Sequence, residues 1–383
     1  MHIDTTGVKR SQVAGKLASF FKRFGGGSKP PKSPSSATHD LRVREVVRET
    51  ADAVSLRFDH PAAGNIDFRP GQYFTVTLQI DDKKIRRSYS VSSALGDDHL
   101  ALTVKRVGDG AASSYINAHV KAGDVLRVTG PTGNFHVEPA RASGHDLVLI
   151  AGGSGITPMM SITDTLLRGT APCNLALIYG NRSAADVIFS ERLGTLATKH
   201  PERFRLRQVL QTPHADFRGA SGVLDEATLA AEIAAIAPSN TAEFFICGPT
   251  PVLDAGQAVL SRLGVEPTRI FVERFTAAVD ANASSYAPQK LVVRGGTEIF
   301  GTVMVEPGRT LLDAGLDADL PMPFTCTGGN CGDCKVRLLS GSVDIAEPNC
   351  LRKVDREAGY ILTCSSHPKT DVEIDVDDRG ADY

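Results

Sequence analysis

The 383-residue chain has no apolar run approaching the roughly 18 residues of a membrane-spanning helix, so no span is expected. Its opening residues lack an apolar core followed by a small-residue cleavage site. No secretory signal is expected, and the cytoplasm is the expected compartment. A charge surplus is also missing. Against 42 Lys and Arg stand 44 Asp and Glu, a net charge of −2, which argues against a chain built mainly to bind nucleic acid. The cysteines do not make an even set. An odd count of seven without a secretion signal points to a reducing compartment, where metal or redox chemistry outweighs disulfides.

What is present is ordinary in bulk and uneven in detail. Apolar residues make up 42% and charged residues 22%, as in a soluble globular protein. The length predicts roughly two to four domains. Residues 1–40 carry +5, residues 287–383 carry −6 and the middle carries −1, which suggests separate units with separate partners.

Residues 1–38 read as a basic tail. Val13, Leu17, Phe20, Phe21 and Phe24 recur at helical spacing among Lys16, Lys22 and Arg23, a short amphipathic segment suited to an anionic membrane or a partner groove, or simply an unpacked terminus. The Gly/Pro/Ser-rich stretch Gly25 to Ser36 follows as a linker. From 39 to about 140, short alternating runs broken by turn residues (LRVREVV, AVSLRF, QYFTVTLQI, HLALTVKR, DVLRVTG) predict one antiparallel β domain, a barrel. From 141 to 276 the rhythm changes. Continuous apolar runs such as LVLIAGG, NLALIYG and AEFFICG alternate with helical stretches, the first from Pro158 to about Arg168, and predict an α/β unit with a parallel sheet. Residues 277–289 lack periodicity and read as a linker. The last unit, 290–383, opens with a predicted hairpin, KLVVR and EIFGTVMVE. A short helix TLLDAGLDA, a Cys-rich loop and a strand KVRLLSG follow.

That loop carries the strongest motif. Cys326-x4-Cys331-x2-Cys334, then 29 residues to Cys364, matches the plant-type [2Fe-2S] spacing. Two bridged irons need four thiolates from a tight loop and one remote segment. Gly328, Gly329 and Gly332 let the loop fold closely and free backbone N–H groups for the sulfurs. The rival is a structural zinc site, which usually pairs two short knuckles rather than three cysteines and one. Cys350 falls outside the pattern and reads as an ordinary thiol.

A second motif is Arg87-Ser88-Tyr89-Ser90 at a strand end. Alone it is weak, an exposed Arg beside an edge-strand Tyr. Two later segments strengthen it. Gly110 and Ser113 stand at the start of a predicted helix, an anion site for a pyrophosphate, and GPTGNF (130–135) turns the chain out of the barrel. In this reading Arg87 meets the pyrophosphate, Tyr89 packs beside an isoalloxazine and Ser90 bonds near the reactive flavin nitrogen. Lys105 is counted with the cofactor-binding residues.

The third motif is AGGSGITPMMS, where Gly152, Gly153 and Gly155 end a buried strand and Thr157-Pro158 opens a helix, a turn suited to dinucleotide phosphates though not the G-x-G-x-x-G fingerprint. Such a turn can also be purely structural. Cys247-Gly248-Pro249 repeats the logic and places a thiol at the carboxyl edge of the sheet, unless Cys247 is a core residue. Arg182 and Ser183, after the strand NLALIYG, suit a ribose 2′-phosphate and tilt the expected cofactor to NADPH, with NADH the alternative; a solvated Arg182 is the plainer reading.

Taken in order, RSYS, GAAS, AGGSGITP, YGNR, CGP, the ERF of Glu273-Arg274-Phe275 and the four cysteines resemble the ferredoxin–NADP⁺ reductase superfamily with a C-terminal plant-type ferredoxin domain, over about residues 39–383. Within it the chain resembles the reductase components of phenylacetyl-CoA epoxidase, steroid hydroxylases and acyl-CoA desaturases. The resemblance implies FAD rather than FMN, a β-grasp fold for the last unit, Cys247 and Glu273 near the nicotinamide–flavin contact, and Phe275 beside the flavin ring. The expected activity is a relay from NAD(P)H through FAD and a [2Fe-2S] cluster to a partner oxygenase, hydroxylase, epoxidase or desaturase. Tail-mediated peripheral membrane contact is a second expectation. A redox-sensing regulator is a third, with more cofactor machinery than sensing requires.

Overall fold

The structure, a computed structural model, describes residues 37–380 except 63, 82, 109, 140–143, 145, 170–172, 276–282 and 348. The amphipathic segment and Gly/Pro/Ser stretch of the expected tail lie outside the described residues. Ala37 and Thr38, counted with that tail, already belong to the first strand.

The alternating runs at the start of the described chain pair into one antiparallel sheet. Its strands are β1 (Ala37–Thr50), β2 (Ala53–Asp59), β3 (Tyr73–Ile80), β4 (Lys83–Ser90), β5 (His99–Lys105) and β6 (Val125–Thr132), in the order β4-β3-β6-β1-β2-β5. Val91, just past one edge strand, bridges to Leu102 in the other and draws the sheet toward the expected barrel. Inward side chains Val43, Leu56, Phe58, Phe74 and Leu102 are fully buried, as period-2 patterning requires. The helix Ala111–His119 lays Ala112 and Ile116 on that core.

The second sheet is parallel, as the continuous apolar runs required. β7 (Asp146–Gly152), β8 (Asn174–Asn181), β9 (Phe204–Leu210), β10 (Ala220–Ser221), β11 (Glu243–Gly248) and β12 (Ile270–Arg274) run in the order β10-β9-β8-β7-β11-β12. One face packs on the helices Ile156–Arg168 and Ser190–Lys199. The other packs on Glu226–Ile236 and Thr250–Arg262. The first helix starts at Ile156, two residues before the position expected. Phe135, the last residue of the GPTGNF turn, joins the core of this sheet by an edge contact to Phe245 at 5.3 Å, and Phe245 stacks on Phe271 at 4.5 Å.

The third unit pairs the expected hairpin, β13 (Gln289–Gly295) with β14 (Glu298–Val305). Gln289 closes the segment expected as a linker; residues 277–282 of it lie outside the described residues, and Ala283–Ser285 form a short 3₁₀ turn. β15 (Lys335–Ser340), β17 (Tyr360–Leu362) and β19 (Val372–Asp375) complete the order β14-β13-β19-β15-β17, while β16 (Val343–Ile345) and β18 (Ser366–Pro368) pair apart. The parallel pairing of β13 with the last strand, β19, closes the unit on itself. Helix Leu311–Asp317 covers the sheet, its first turn capped by Thr310, whose hydroxyl accepts the Asp313 N–H at 3.1 Å. Among the described residues no helix is long and apolar enough to cross a membrane.

Candidate active site

The three sheets meet at one cavity of about 610 Å³, within the usual range for a cofactor site. Its wall takes Tyr73, Arg87, Ser88 and Ser90 from the barrel, Glu273–Phe275 from the end of β12, and Cys326, Cys331 and Cys364 from the Cys-rich unit.

Ser90 and Glu273 lie 183 residues apart in sequence and touch. The Ser90 hydroxyl donates to Glu273 Oε2 at 3.2 Å. Burial pushes the Glu273 carboxyl up to about 8, against the lowering effect of that hydroxyl, yet the side chain keeps part of its surface open to the cavity. Parallel pairing sets Glu273 beside Cys247, which is fully buried; burial first, and Glu273 second, push its thiol well up. Cys247 is not among the cavity-lining residues. Phe275 is, and stays 41% exposed, an aromatic ring at the rim.

Strand alternation separates the RSYS residues. Tyr89 packs on the barrel core and does not line the cavity; burial pushes its hydroxyl up to about 12. Arg87, expected to meet a pyrophosphate, keeps an exposed guanidinium that donates to its neighbour's carbonyl at 2.7 Å. Gly110 and Ser113 do not reach this cavity. The Ser113 hydroxyl accepts from Val107 N–H at 3.2 Å and donates to Gly110 O at 3.1 Å, so its side chain closes its own loop.

The nucleotide turns lie at a second, smaller cavity of about 180 Å³ at the carboxyl edge of the parallel sheet, lined by Gly152, Gly153, Asn181, Arg182, Asp186, Pro249 and, from the barrel, Lys105. Gly153 has φ +52°, and nothing lies within 4 Å of the point a Cβ would occupy, which leaves its backbone open to close approach. Gly155 is glycine for a different reason. A Cβ there would stand 2.0 Å from the Cys247 carbonyl oxygen, so it packs the two turns together. Thr157 and Pro158 are buried in the first turn of the helix, the Thr157 hydroxyl donating to Ser154 O at 3.1 Å. Gly248 packs against Gly152. Asn181 Nδ2 is buried without a geometric hydrogen-bond partner among the described residues.

The case for a 2′-phosphate is altered by an acid the motif did not contain. Arg182 reaches Asp186 at 2.5 Å and Ser183 donates to the same carboxylate at 2.7 Å. Ser183 first and Arg182 after it hold the Asp186 carboxyl below its usual range. Lys105 is likewise engaged, with Asp52 at 2.7 Å, and Asp52 lies 3.7 Å from Arg182. The two residues on which the NADPH expectation rests, Arg182 and Ser183, are both paired with Asp186.

The four cysteines of the spacing motif come together. Cys334 and Cys364 sulfurs are 3.2 Å apart, and Cys326 faces both Cys331 and Cys364. Among the described residues no three His, Cys, Asp or Glu side chains form a site for a single metal ion. Four converging sulfurs suit two bridged irons with two protein ligands each. Backbone N–H groups point at the sulfurs: Gly328 and Asn330 at Cys326 (3.4 and 3.3 Å), Gly329 at Cys364 (3.2 Å) and Asp333 at Cys331 (3.5 Å). The neighbouring Cys326 sulfur first, then burial, push the Cys331 thiol well up. The donor set fits a [2Fe-2S] group. Cys350 stays outside the quartet and donates its N–H to Gly329 O at 2.8 Å.

Tyr73, Thr75, Thr325 and Asn330 are not among the expected site residues, and Ser88, which is, makes a contact the motif does not show. Tyr73, Thr75 and Ser88 bond to the loop at Thr325 and Cys326, and Asn330 Nδ2 donates to Arg274 O at 2.6 Å. The signal in the sequence is adjacency, since Thr325 and Asn330 each directly precede a cluster cysteine.

Three family models match in the order of the three sheets: an oxidoreductase FAD-binding domain over 40–137, an oxidoreductase NAD-binding domain over 149–257, and a 2Fe-2S iron-sulfur cluster binding domain over 300–369. A component of the 1,2-phenylacetyl-CoA epoxidase of Escherichia coli is 32% identical over 351 residues, covering 89% of this chain and 98% of that protein. The ferredoxin reductase component of the 3-ketosteroid-9-alpha-monooxygenase of Mycolicibacterium smegmatis is 36% identical, covering 88% and 97%. Phthalate dioxygenase reductase shares the fold, with a TM-score of 0.67 over 89% of this chain and 98% of that one at 21% identity.

Proposed function

Because the chain belongs to the family of FAD- and [2Fe-2S]-dependent reductase components of multicomponent oxygenases, we propose that its central cavity is where electrons from NAD(P)H pass toward the cluster cysteines and on to a terminal oxygenase. One observation carries this reading. The Ser90–Glu273 contact and the cysteines Cys326, Cys331 and Cys364 lie on walls of the same cavity. When bound, FAD accepts two electrons from a nicotinamide and a [2Fe-2S] cluster passes them on one at a time.

The chain's own residues position and tune. Glu273 holds a proton at neutral pH and shares its Oε2 with the Ser90 hydroxyl, which gives the nicotinamide side of the cavity a neutral, polar wall. Phe275 offers an aromatic face at the rim, and Arg87 a cation on the cavity wall. Gly153 and its neighbours receive the nucleotide phosphates against backbone N–H groups. Cys326, Cys331, Cys334 and Cys364 hold the cluster. The working domains are 39–140, 141–276 and 290–383.

The partner is an oxygenase. Relatives of similar identity serve an epoxidase for a CoA thioester, a steroid monooxygenase and a glycine betaine monooxygenase, so substrate choice belongs to the partner and not to this chain. Contact of residues 1–38 with a membrane is a further part of the proposal; equal sedimentation of intact and tail-deleted protein with anionic liposomes would remove it. The main test is anaerobic titration of the purified protein with NADH and NADPH, followed by visible absorption and electron paramagnetic resonance. Bleaching of a flavin spectrum with appearance of a reduced-cluster signal is the expected result. Iron-free or flavin-free protein after anaerobic purification overturns the reading.

A further inference from the structure

The cluster loop is tied to the barrel by Thr75, which no motif contains, and by Ser88 of the RSYS motif. Thr75 Oγ1 donates to Thr325 O at 2.8 Å, and Ser88 Oγ donates to Cys326 O at 3.2 Å. On the far side, Asn330 ties the same loop to the nucleotide sheet at Arg274 O. Between these anchors runs a shorter chain of polar atoms. Tyr73, on β3, donates its O–H to Thr325 Oγ1 at 3.2 Å, and Thr325 Oγ1 lies 2.9 Å from Cys331 Sγ.

The direction of that last bond follows from chemistry. A ligating cysteine has lost its proton, so the Thr325 hydroxyl is the donor. Its oxygen already accepts from Tyr73, which leaves its one proton for the opposite side, where it is shared between Cys331 Sγ and Asp333 Oδ2. A hydroxyl that is itself receiving a hydrogen bond donates more strongly. Tyr73 is held for the task. It is 6% exposed, and Gly133 (φ +107°) lies over its ring so closely that a Cβ would stand 2.7 Å from Cε1.

We propose that Thr325 is a positioning residue through which Tyr73 of the flavin barrel sets the reduction potential of the cluster in the neighbouring unit. The proposal rests on the cluster reading given above. Donation to a thiolate stabilises the reduced cluster, which carries the extra negative charge, and so raises its potential. The same contact fixes how the loop seats on β3, which couples docking to driving force.

The test is a redox titration of the full chain, monitored by the cluster's paramagnetic signal, for the parent protein and for Thr325→Val, Thr325→Ser and Tyr73→Phe. Thr325→Val is expected to lower the potential by about 59 mV, a tenfold change for a one-electron couple. Thr325→Ser keeps the parent value. Tyr73→Phe changes nothing in the cluster's own unit and is expected to lower the potential by a smaller amount. A potential unmoved by Tyr73→Phe overturns the cross-domain role, and it does so even where Thr325→Val fails to load the cluster. An unmoved Thr325→Val overturns the proposal outright. If the parent protein gives no cluster signal, the functional reading fails instead, so the two failures are distinguishable.

Discussion

The two candidate cofactor cavities are built on opposite plans. The large one, about 610 Å³, draws its wall from all three sheets and has an exposed aromatic rim and a protonated carboxyl within it. The small one, about 180 Å³, belongs mostly to the parallel sheet and is crowded with charges that already satisfy one another: Lys105 with Asp52, and Arg182 with Asp186. A ligand entering the first meets surface prepared for it. A ligand entering the second must compete with existing ion pairs for each cation. The lesson is that a cofactor held throughout the working cycle and one that must leave after each turnover call for different sites, since weaker net attraction speeds departure.

The sharpest way to break the comparison is to empty the large cavity's cluster wall. Cys364→Ser should abolish the reduced-cluster signal and bring cytochrome c reduction down to background, while ferricyanide reduction by NAD(P)H continues; retention of cluster by the variant would contradict the ligand assignment. Next comes Glu273→Gln, expected to slow NAD(P)H oxidation by about 10²-fold; an unchanged rate would show that the carboxyl takes no part in proton handling. This variant also tests a stability effect. The folded protein keeps the Glu273 proton up to about pH 8, whereas the unfolded chain gives it up near 4.5. Stability should therefore fall as pH rises through that window, and the variant should flatten the fall, as read by urea midpoints across the pH series.

The small cavity gives milder effects. Asp186→Ser releases Arg182 and Ser183 to a 2′-phosphate, and should raise the kcat/KM ratio of NADPH to NADH by about tenfold, the weight of one charge-assisted hydrogen bond. An unchanged ratio would show that the pair does not gate the ribose. The smallest change is expected at the seam between barrel and nucleotide sheet. There Arg168 joins Asp97 to the buried Asp164, which also meets Arg192. Because Arg168 is half exposed and Asp164 keeps Arg192, Arg168→Met should cost about 1 kcal/mol, seen as a small drop in the first thermal transition.

How much can be read from sequence follows the range of the interaction. The four cysteines, the glycine turns and the strand rhythms are local patterns, and the spacing of ligands on one loop is itself the chemistry. β12 has only five residues and no fully buried position, so its pattern is faint, and with it the meeting of Glu273 with Ser90 is reachable only through family resemblance. Ser113 illustrates a different limit. A hydroxyl at a helix start has an anion site and its own loop as rival partners, and only the fold decides. Arg182 illustrates the same competition with charge, since Asp186 sits four residues on and no spacing rule says which cation it will choose. The Tyr73–Thr325 bond spans 252 positions, beyond any local pattern.

The stitching of the cluster loop on both flanks bears on how such reductases can be recombined. A ferredoxin unit transplanted from another chain would carry its own cysteines and its own spacing, and so its own metal centre. It would arrive without Thr325 and Asn330 facing Tyr73 and Arg274 unless those two were grafted with it. Chimeras joined at the linker alone would inherit every cofactor and lose the stitches that hold them in line.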